Sequence, residues 1–243
     1  INKETEDHVI ATYQMMKDIK EAFLEANAEY FAVSGTLLGC VRNGGFIPWD
    51  DDLDLGVSSE YEELMPAVLC ALHKKHYKAV ETKGVLESFA TGAKLFLQGN
   101  LHSAEVMSDV AGCLWKGWRI ERWFDRPIVD GKETIPFCDI FLMKNVGNRF
   151  YYAKGFPHYS VQEDAVYPLQ EAKFGRLTIS VPNKPYIFLD AEYKDSWSDH
   201  IKKYNHCHGN NQVDFVRFTA KLEKMCHEDY RHAGPYAHSK KVD

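Results

Sequence analysis

Within "IPWDDDLDLGV" (Ile47 to Val57), four aspartates occupy five positions and run straight into an apolar segment. Carboxylates brought within a few ångströms cannot all stay ionised without a compensating cation. In an extended chain alternate side chains share a face. Asp52 and Asp54 therefore point one way while Leu53 and Leu55 point into a core, and Asp50 joins the aspartate side if the backbone stays extended. A hard divalent ion with oxygen ligands, Mg²⁺ or Mn²⁺, supplies the missing charge. The plainer reading of Asp50, Asp51, Asp52 and Asp54 is a helix cap or a solvated acidic turn, since an isolated D-x-D is common.

The preceding stretch, "SGTLLGCVR", reads as a small-residue turn opening a helix, whose first N–H groups at Ser34, Gly35 and Thr36 form a natural phosphate cradle. Arg42, one helix further on, is placed to hold a phosphate oxygen. Anion donors beside metal acceptors are what phosphoryl-group chemistry requires. Such an acidic pair usually needs a third carboxylate, to complete the metal shell or to act as base. Asp139 in "PFCDIFLM" is the candidate, because a lone charge in an apolar run is costly unless paired or metal-bound. It could equally cap a turn or pair with a buried arginine. Lys94 in "GAKLFL" reads either as a second phosphate contact or as an edge-strand lysine that blocks aggregation.

The elements that must carry these residues are legible from periodicity. Ile10, Tyr13, Ile19, Phe23 and Leu24 recur with helical spacing between Glu4 and Asn27. "YFAVS" and "LDLGV" read as strands, and Ser59 to His76 as a helix capped by Ser58 or Ser59. "AKLFLQ", "RIERWFD", "FCDIFLM" and "GRLTISVPN" are strand-like. Strands and helices interleave without a strict βαβ rhythm, so the expected fold class is α+β, a mixed sheet flanked by helices. One domain is expected over residues 1–243, with a motif core at about 28–197 and a C-terminal helical extension at 198–243.

Trp49 is expected to wedge the loop that presents the aspartates. Trp115, Trp118, Trp123 and Phe124 are either core or a face that stacks on a sugar or cytosine or cages a quaternary ammonium. The tail "HIKKYNHCHG" fits no zinc spacing and is expected to be a solvated helix end.

The motifs resemble those of the LicD family, which has bacterial phosphocholine transferases and the animal fukutin-related proteins among its members, within the nucleotidyltransferase-fold superfamily. "SGTLLGCVRNGGFIPWDDDLDLGV" resembles its signature, "FCDIFLM" its second acidic strand, and "VYPLQEAKFGRLTISVPNKPYIFLDAEYKDSW" its C-terminal block. The resemblance implies transfer of a phosphorylated alcohol, phosphocholine or a polyol phosphate such as ribitol phosphate, from a CDP-linked donor (CDP-choline or a CDP-polyol). The acceptor would be a hydroxyl of a glycan or glycolipid, with release of CMP. Motif to motif, it makes Asp52 and Asp54 metal ligands, Asp50 an additional one and Asp139 the third carboxylate. Ser34, Gly35 and Thr36 become the phosphate-contacting turn. No cysteine cluster like the zinc site of the animal relatives is present. The rival readings are nucleotidyl transfer to a small acceptor and a catalytically inactive glycan-binding module of the same fold.

A net charge of -6 argues against a nucleic-acid partner, which would call for a basic stripe. No 18-residue apolar run encodes a membrane span. Six scattered cysteines and the absence of Asn-x-Ser/Thr acceptors favour a cytoplasmic setting. The chain opens on Ile1, however, and the Golgi lumen is the alternative if a leader or anchor has been trimmed.

Overall fold

The computed structural model describes residues 3–83, 94–95, 116–129, 131–152, 160–193, 197–198, 200–201 and 216–217. The fold is α+β, as the interleaved pattern predicts: helices around a mixed sheet.

The chain opens with α1 (Lys3–Glu25). Its buried stripe runs through Val9, Thr12, Met15, Met16, Ile19, Ala22 and Phe23. Two residues expected on that stripe are not there: Ile10 is 59% and Leu24 77% exposed. Each is one residue, about 100°, off the packed face. A short strand, β1 (Phe31–Ala32), then leads into α2 (Ser34–Asn43). Helix α2 ends on Gly44, whose φ of 71° is the left-handed turn that glycine tolerates at a helix terminus.

The central strand β2 (Asp52–Ser58) is buried along most of its length. After it, the predicted single helix over 59–76 is broken in two. Ser59–Leu64 is a 3₁₀ turn with no buried residue, and only then does α3 (Met65–Lys74) begin, with Pro66 in its first turn. Proline suits that position because it lacks the N–H that would be orphaned there. Neither Ser58 nor Leu64 caps with its side chain.

The rest of the sheet follows as β3 (Lys78–Lys83), β4 (Lys94–Leu95), β5 (Lys116–Glu121), β8 (Phe137–Val146), β9 (Arg149–Tyr152) and β10 (Ser160–Gln162). Small hairpins are made by β6 (Ile128–Val129) with β7 (Lys132–Glu133), and by β11 (Gln170–Phe174) with β12 (Leu177–Val181). Two helices, α4 (Glu163–Val166) and α5 (Pro185–Tyr193), complete the main body. Beyond it, β13 (His200–Ile201) pairs with β14 (Val216–Arg217). The remainder of the tail, including the predicted helical extension and the His206–His208 cluster, lies outside the described residues.

The sheet order is β1-β2-β8-β5-β3-β4, with β9 on β8 and β10 on β9. Strands β2 and β8 are parallel and the other pairs antiparallel. That one parallel pair decides the site, because it sets Asp54 directly beside Asp139. The antiparallel partner β5 then sets Arg119 beside Asp139. Side chains of register partners share a face, so Asp54, Asp139 and Arg119 form a row across three strands.

Among the described residues, Cys40, Cys70 and Cys138 are free thiols, the first and last buried. No described helix is long and apolar enough to cross a membrane. Trp118 belongs to the core, and Trp49 packs partly buried against it. Trp123 donates its indole N–H to Glu121 at 2.6 Å and carries the Lys78 ammonium 3.9 Å over its ring. Trp115 lies outside the described residues, as does the Lys94 side chain.

Candidate active site

Two elements meet at the start of β2. Antiparallel pairing of β1 with β2 brings the end of β1 to Asp54, whose carbonyl accepts the Val33 N–H at 3.1 Å. The chain then turns sharply into α2 through Ser34, which has a φ of 43°. A non-glycine residue in the left-handed region is uncommon and strained. From this turn, the Gly35 N–H donates to Asp54 Oδ2 at 2.9 Å, and Thr36 Oγ1 accepts the Asp54 N–H at 2.7 Å. The turn thus grips Asp54 by its side chain and its backbone together.

Gly35 leaves room that a side chain would take from two carboxylates. A Cβ built on it would lie 2.8 Å from Asp50 Oδ2 and 3.1 Å from Asp54 Oδ2. Both carboxylates lean over the bare backbone. In an open helix position, replacing glycine by alanine stabilises by about 1 kcal/mol. At Gly35 we expect the opposite. On the metal-site reading proposed below, Gly35→Ala should cost at least tenfold in Mn²⁺ affinity, about 1.4 kcal/mol, read by calorimetric titration, while the protein remains folded.

Asp50, Asp51 and Asp52 each offer a carboxylate oxygen to a group in which all such oxygens lie within 4.8 Å of one another. Asp51 is the member that alternation along the strand did not single out. Strand geometry begins only at Asp52, and the turn before it folds Asp51 back, with its N–H on Asp50 Oδ1 at 3.2 Å. Asp52 is buried and Asp54 half-buried. Burial pushes the Asp52 carboxyl well above its usual range, with Asp54, Asp50, Asp139 and Asp51 adding to the shift. Burial likewise raises Asp54, reinforced by Asp50, Asp139 and Glu192 and opposed by the Gly35 N–H. Clustered, desolvated, oxygen-only donors are the set that suits a hard divalent cation.

Asp139 is buried in the same row but bound to a cation of the chain's own. Arg119 Nε donates to its Oδ1 at 2.6 Å and a terminal guanidinium nitrogen to its Oδ2 at 2.7 Å. The Arg119 guanidinium also lies 4.2 Å over the Phe137 ring. Of the alternatives open to a lone buried aspartate, pairing with an arginine is the contact observed.

Arg42 sits in the last turn of α2. Eight residues of helix rise separate it from Ser34, roughly 12 Å. Its guanidinium donates to Asn43 Oδ1 at 3.0 Å and to the Trp197 carbonyl at 3.3 Å. The fold therefore does not bring Arg42 to the turn.

Glu192, on α5, does reach the turn. Its Oε1 accepts the Ser34 hydroxyl at 2.5 Å. Burial raises its carboxyl to about 7, against the bonds from the Ser34 hydroxyl and N–H, which lower it. Its other oxygen, Oε2, is buried without a partner. A sequence signal for it exists: Glu192 follows the buried Phe188 and Leu189 by four and three residues, so a charge stands on the apolar face of a helix. Because its folded-state value lies above the ordinary 4.5, Glu192 favours folding below pH 4.5, and that contribution is lost as pH rises through about 7. Glu192→Gln should accordingly gain stability relative to the wild type between pH 5 and pH 8, seen as a pH-dependent difference in Tm.

A mixed sheet whose central parallel pair presents a carboxylate cluster to a helix-opening turn defines a nucleotidyltransferase-type domain. Residues 27–184 match the family described as LicD/FKTN/FKRP, nucleotidyltransferase domain. The chain belongs to this family, whose members are of transferase type. It is similar to an uncharacterised protein of Rickettsia prowazekii (strain Madrid E), 27% identical over 201 residues, covering 81% of this chain and 58% of the relative. An uncharacterised protein of Rickettsia typhi (strain ATCC VR-144 / Wilmington) is 28% identical over 201 residues, covering 83% of this chain and 51% of the relative. A shorter match, 37% identical over 70 residues, joins 28% of this chain to 26% of the lipopolysaccharide cholinephosphotransferase LicD of Haemophilus influenzae (strain ATCC 51907 / DSM 11121 / KW20 / Rd). The chain spans little more than half the length of the two rickettsial relatives.

Proposed function

We propose that this domain transfers a phosphorylated alcohol, phosphocholine or a polyol phosphate, from a CDP-linked donor to a hydroxyl of a glycan or glycolipid, releasing CMP. The observation that carries the reading is the placement of Asp50 and Asp54 over the bare backbone of Gly35, at the turn that opens α2, with Asp50 also in a carboxylate group with Asp51 and Asp52. Family membership supports a transferase, and the match to a cholinephosphotransferase supports a phosphocholine donor.

In this reading Asp50, Asp52 and Asp54 hold Mg²⁺ or Mn²⁺, with Asp51 as a further ligand. The ion supplies charge neutralisation for the donor's pyrophosphate and the leaving CMP. The chain's own residues do the positioning. Gly35 and Thr36 lock Asp54 from two sides, so its carboxylate cannot swing away when the neighbouring charges change. The Arg119–Asp139 pair closes the row on its far side, with the guanidinium set against the carboxylate.

The test is turnover. Purified protein with Mn²⁺ should release CMP from at least one of CDP-choline, CDP-ribitol and CDP-glycerol when a glycan acceptor is present. Failure with all three donors across a panel of glycan acceptors would reject the proposal.

A further inference from the structure

Glu192 lies eight residues beyond the span that matches the family, and the mechanism outlined above gives it no task. We propose that Ser34 and Glu192 form a proton relay, in which Ser34 Oγ takes the proton of the attacking hydroxyl and Glu192 takes the proton of Ser34. The inference rests on the transferase reading.

Geometry carries it. The hydroxyl-to-carboxylate contact of 2.5 Å is at the short end of charge-assisted O–H···O bonds. Ser34 is half-buried, with the strained backbone of a sharp strand-to-helix turn, and its neighbour Gly35 touches Asp54. Glu192 reaches the turn through the Ser34 hydroxyl, which is the group that would pass a proton to it. A desolvated carboxylate oxygen with no partner is expensive, and an apolar residue on this face of α5 would pack without that cost. The arrangement keeps one accepting oxygen engaged and a second in reserve. Asp139, a buried carboxylate of the row itself, already receives two bonds from the Arg119 guanidinium. A carboxyl raised to about 7 is also well matched to receiving a proton near neutrality.

The step balances as follows. The acceptor oxygen forms a bond to the donor's phosphorus, and the bond from that phosphorus to the oxygen of CMP breaks. CMP leaves with the electron pair of the broken bond. The acceptor's proton moves to Ser34 Oγ as the Ser34 proton moves to Glu192, and solvent later removes it.

Wild type, Glu192→Gln and Ser34→Ala are compared with CDP-choline, CDP-ribitol and CDP-glycerol in Mn²⁺, using water, ethanol and trifluoroethanol as acceptors. CMP release is followed, with the rise in Tm caused by CMP plus Mn²⁺ as the binding control. The relay predicts kcat losses of about 10²–10⁴-fold in both variants. It predicts a smaller loss with trifluoroethanol, whose proton is more acidic, and an unchanged rise in Tm. Unchanged kcat, an equal loss with both alcohols, or a lost rise in Tm would overturn the relay while leaving the transferase reading intact. A wild type that releases no CMP from any donor, with water, the alcohols or the panel of glycan acceptors, would instead remove the transferase reading, and the relay with it.

Discussion

Replacing Asp52 and Asp54 together by asparagine is expected to raise the Tm of the metal-free protein and to abolish transfer. The two effects have one origin. Burial and mutual repulsion hold both carboxyls well above their usual range, so their ionised forms destabilise the folded chain near neutrality. The sign follows from linkage: raised carboxyls favour folding at low pH and lose that contribution as pH rises. Asparagine keeps the shape and removes the charge, so the gain should grow from pH 5 to pH 8. Activity should move the opposite way. A divalent ion contributes several kcal/mol to phosphoryl-group chemistry, and each 1.4 kcal/mol is tenfold, so a loss of about 10³-fold or more in CMP release is expected. Thermal melts with and without Mn²⁺, run beside the CMP assay, check both halves. A double variant that melts lower without metal and still turns over would contradict the account.

Arg119→Ala should produce the largest loss of stability. The Arg119 and Asp139 side chains are only 16% and 7% exposed, and the pair is bidentate. Removing the cation leaves a buried carboxylate beside Asp54 without its bidentate partner. Breaking a buried pair in this way costs about 3–5 kcal/mol, roughly 6–20 °C in Tm for a chain of this size. Arg119→Met combined with Asp139→Asn should recover much of that loss, because both charges leave together. If the double variant is no more stable than Arg119→Ala, the pair is not the source of the effect.

Much of the fold was readable because its signals are local. The strand at "LDLGV" and the helix after "SG" follow from alternation and turn chemistry, and both stand where expected, as β2 and α2. Ile10 and Leu24 were misplaced because apolar residues on α1 exceed the width of one face, and periodicity alone does not choose among them. The long helix over 59–76 was broken by Pro66, a residue whose stop signal outweighs the apolar spacing around it.

The site divides in the same way. The turn and the aspartates are adjacent in sequence, so their meeting could be read directly. Arg119 and Glu192 reach the site only through strand register and helix packing, at 20 residues from Asp139 and 158 from Ser34. Pairing of that kind leaves no mark in either segment alone. Glu192 still left a partial trace, as the one charge on the buried face of α5.

The central claim is that the carboxylates at the start of β2 hold a divalent ion against a CDP-linked donor. The most direct measurement is the Tm of the wild-type protein with Mn²⁺ alone, with each CDP-linked donor alone, and with both. Ligands that bind only the folded state stabilise it by mass action, about 2.7 kcal/mol at a hundredfold excess over Kd. The account predicts a rise with Mn²⁺ and a further rise with at least one of CDP-choline, CDP-ribitol and CDP-glycerol that depends on the metal. A Tm unmoved by Mn²⁺, or a donor effect indifferent to it, would contradict the account.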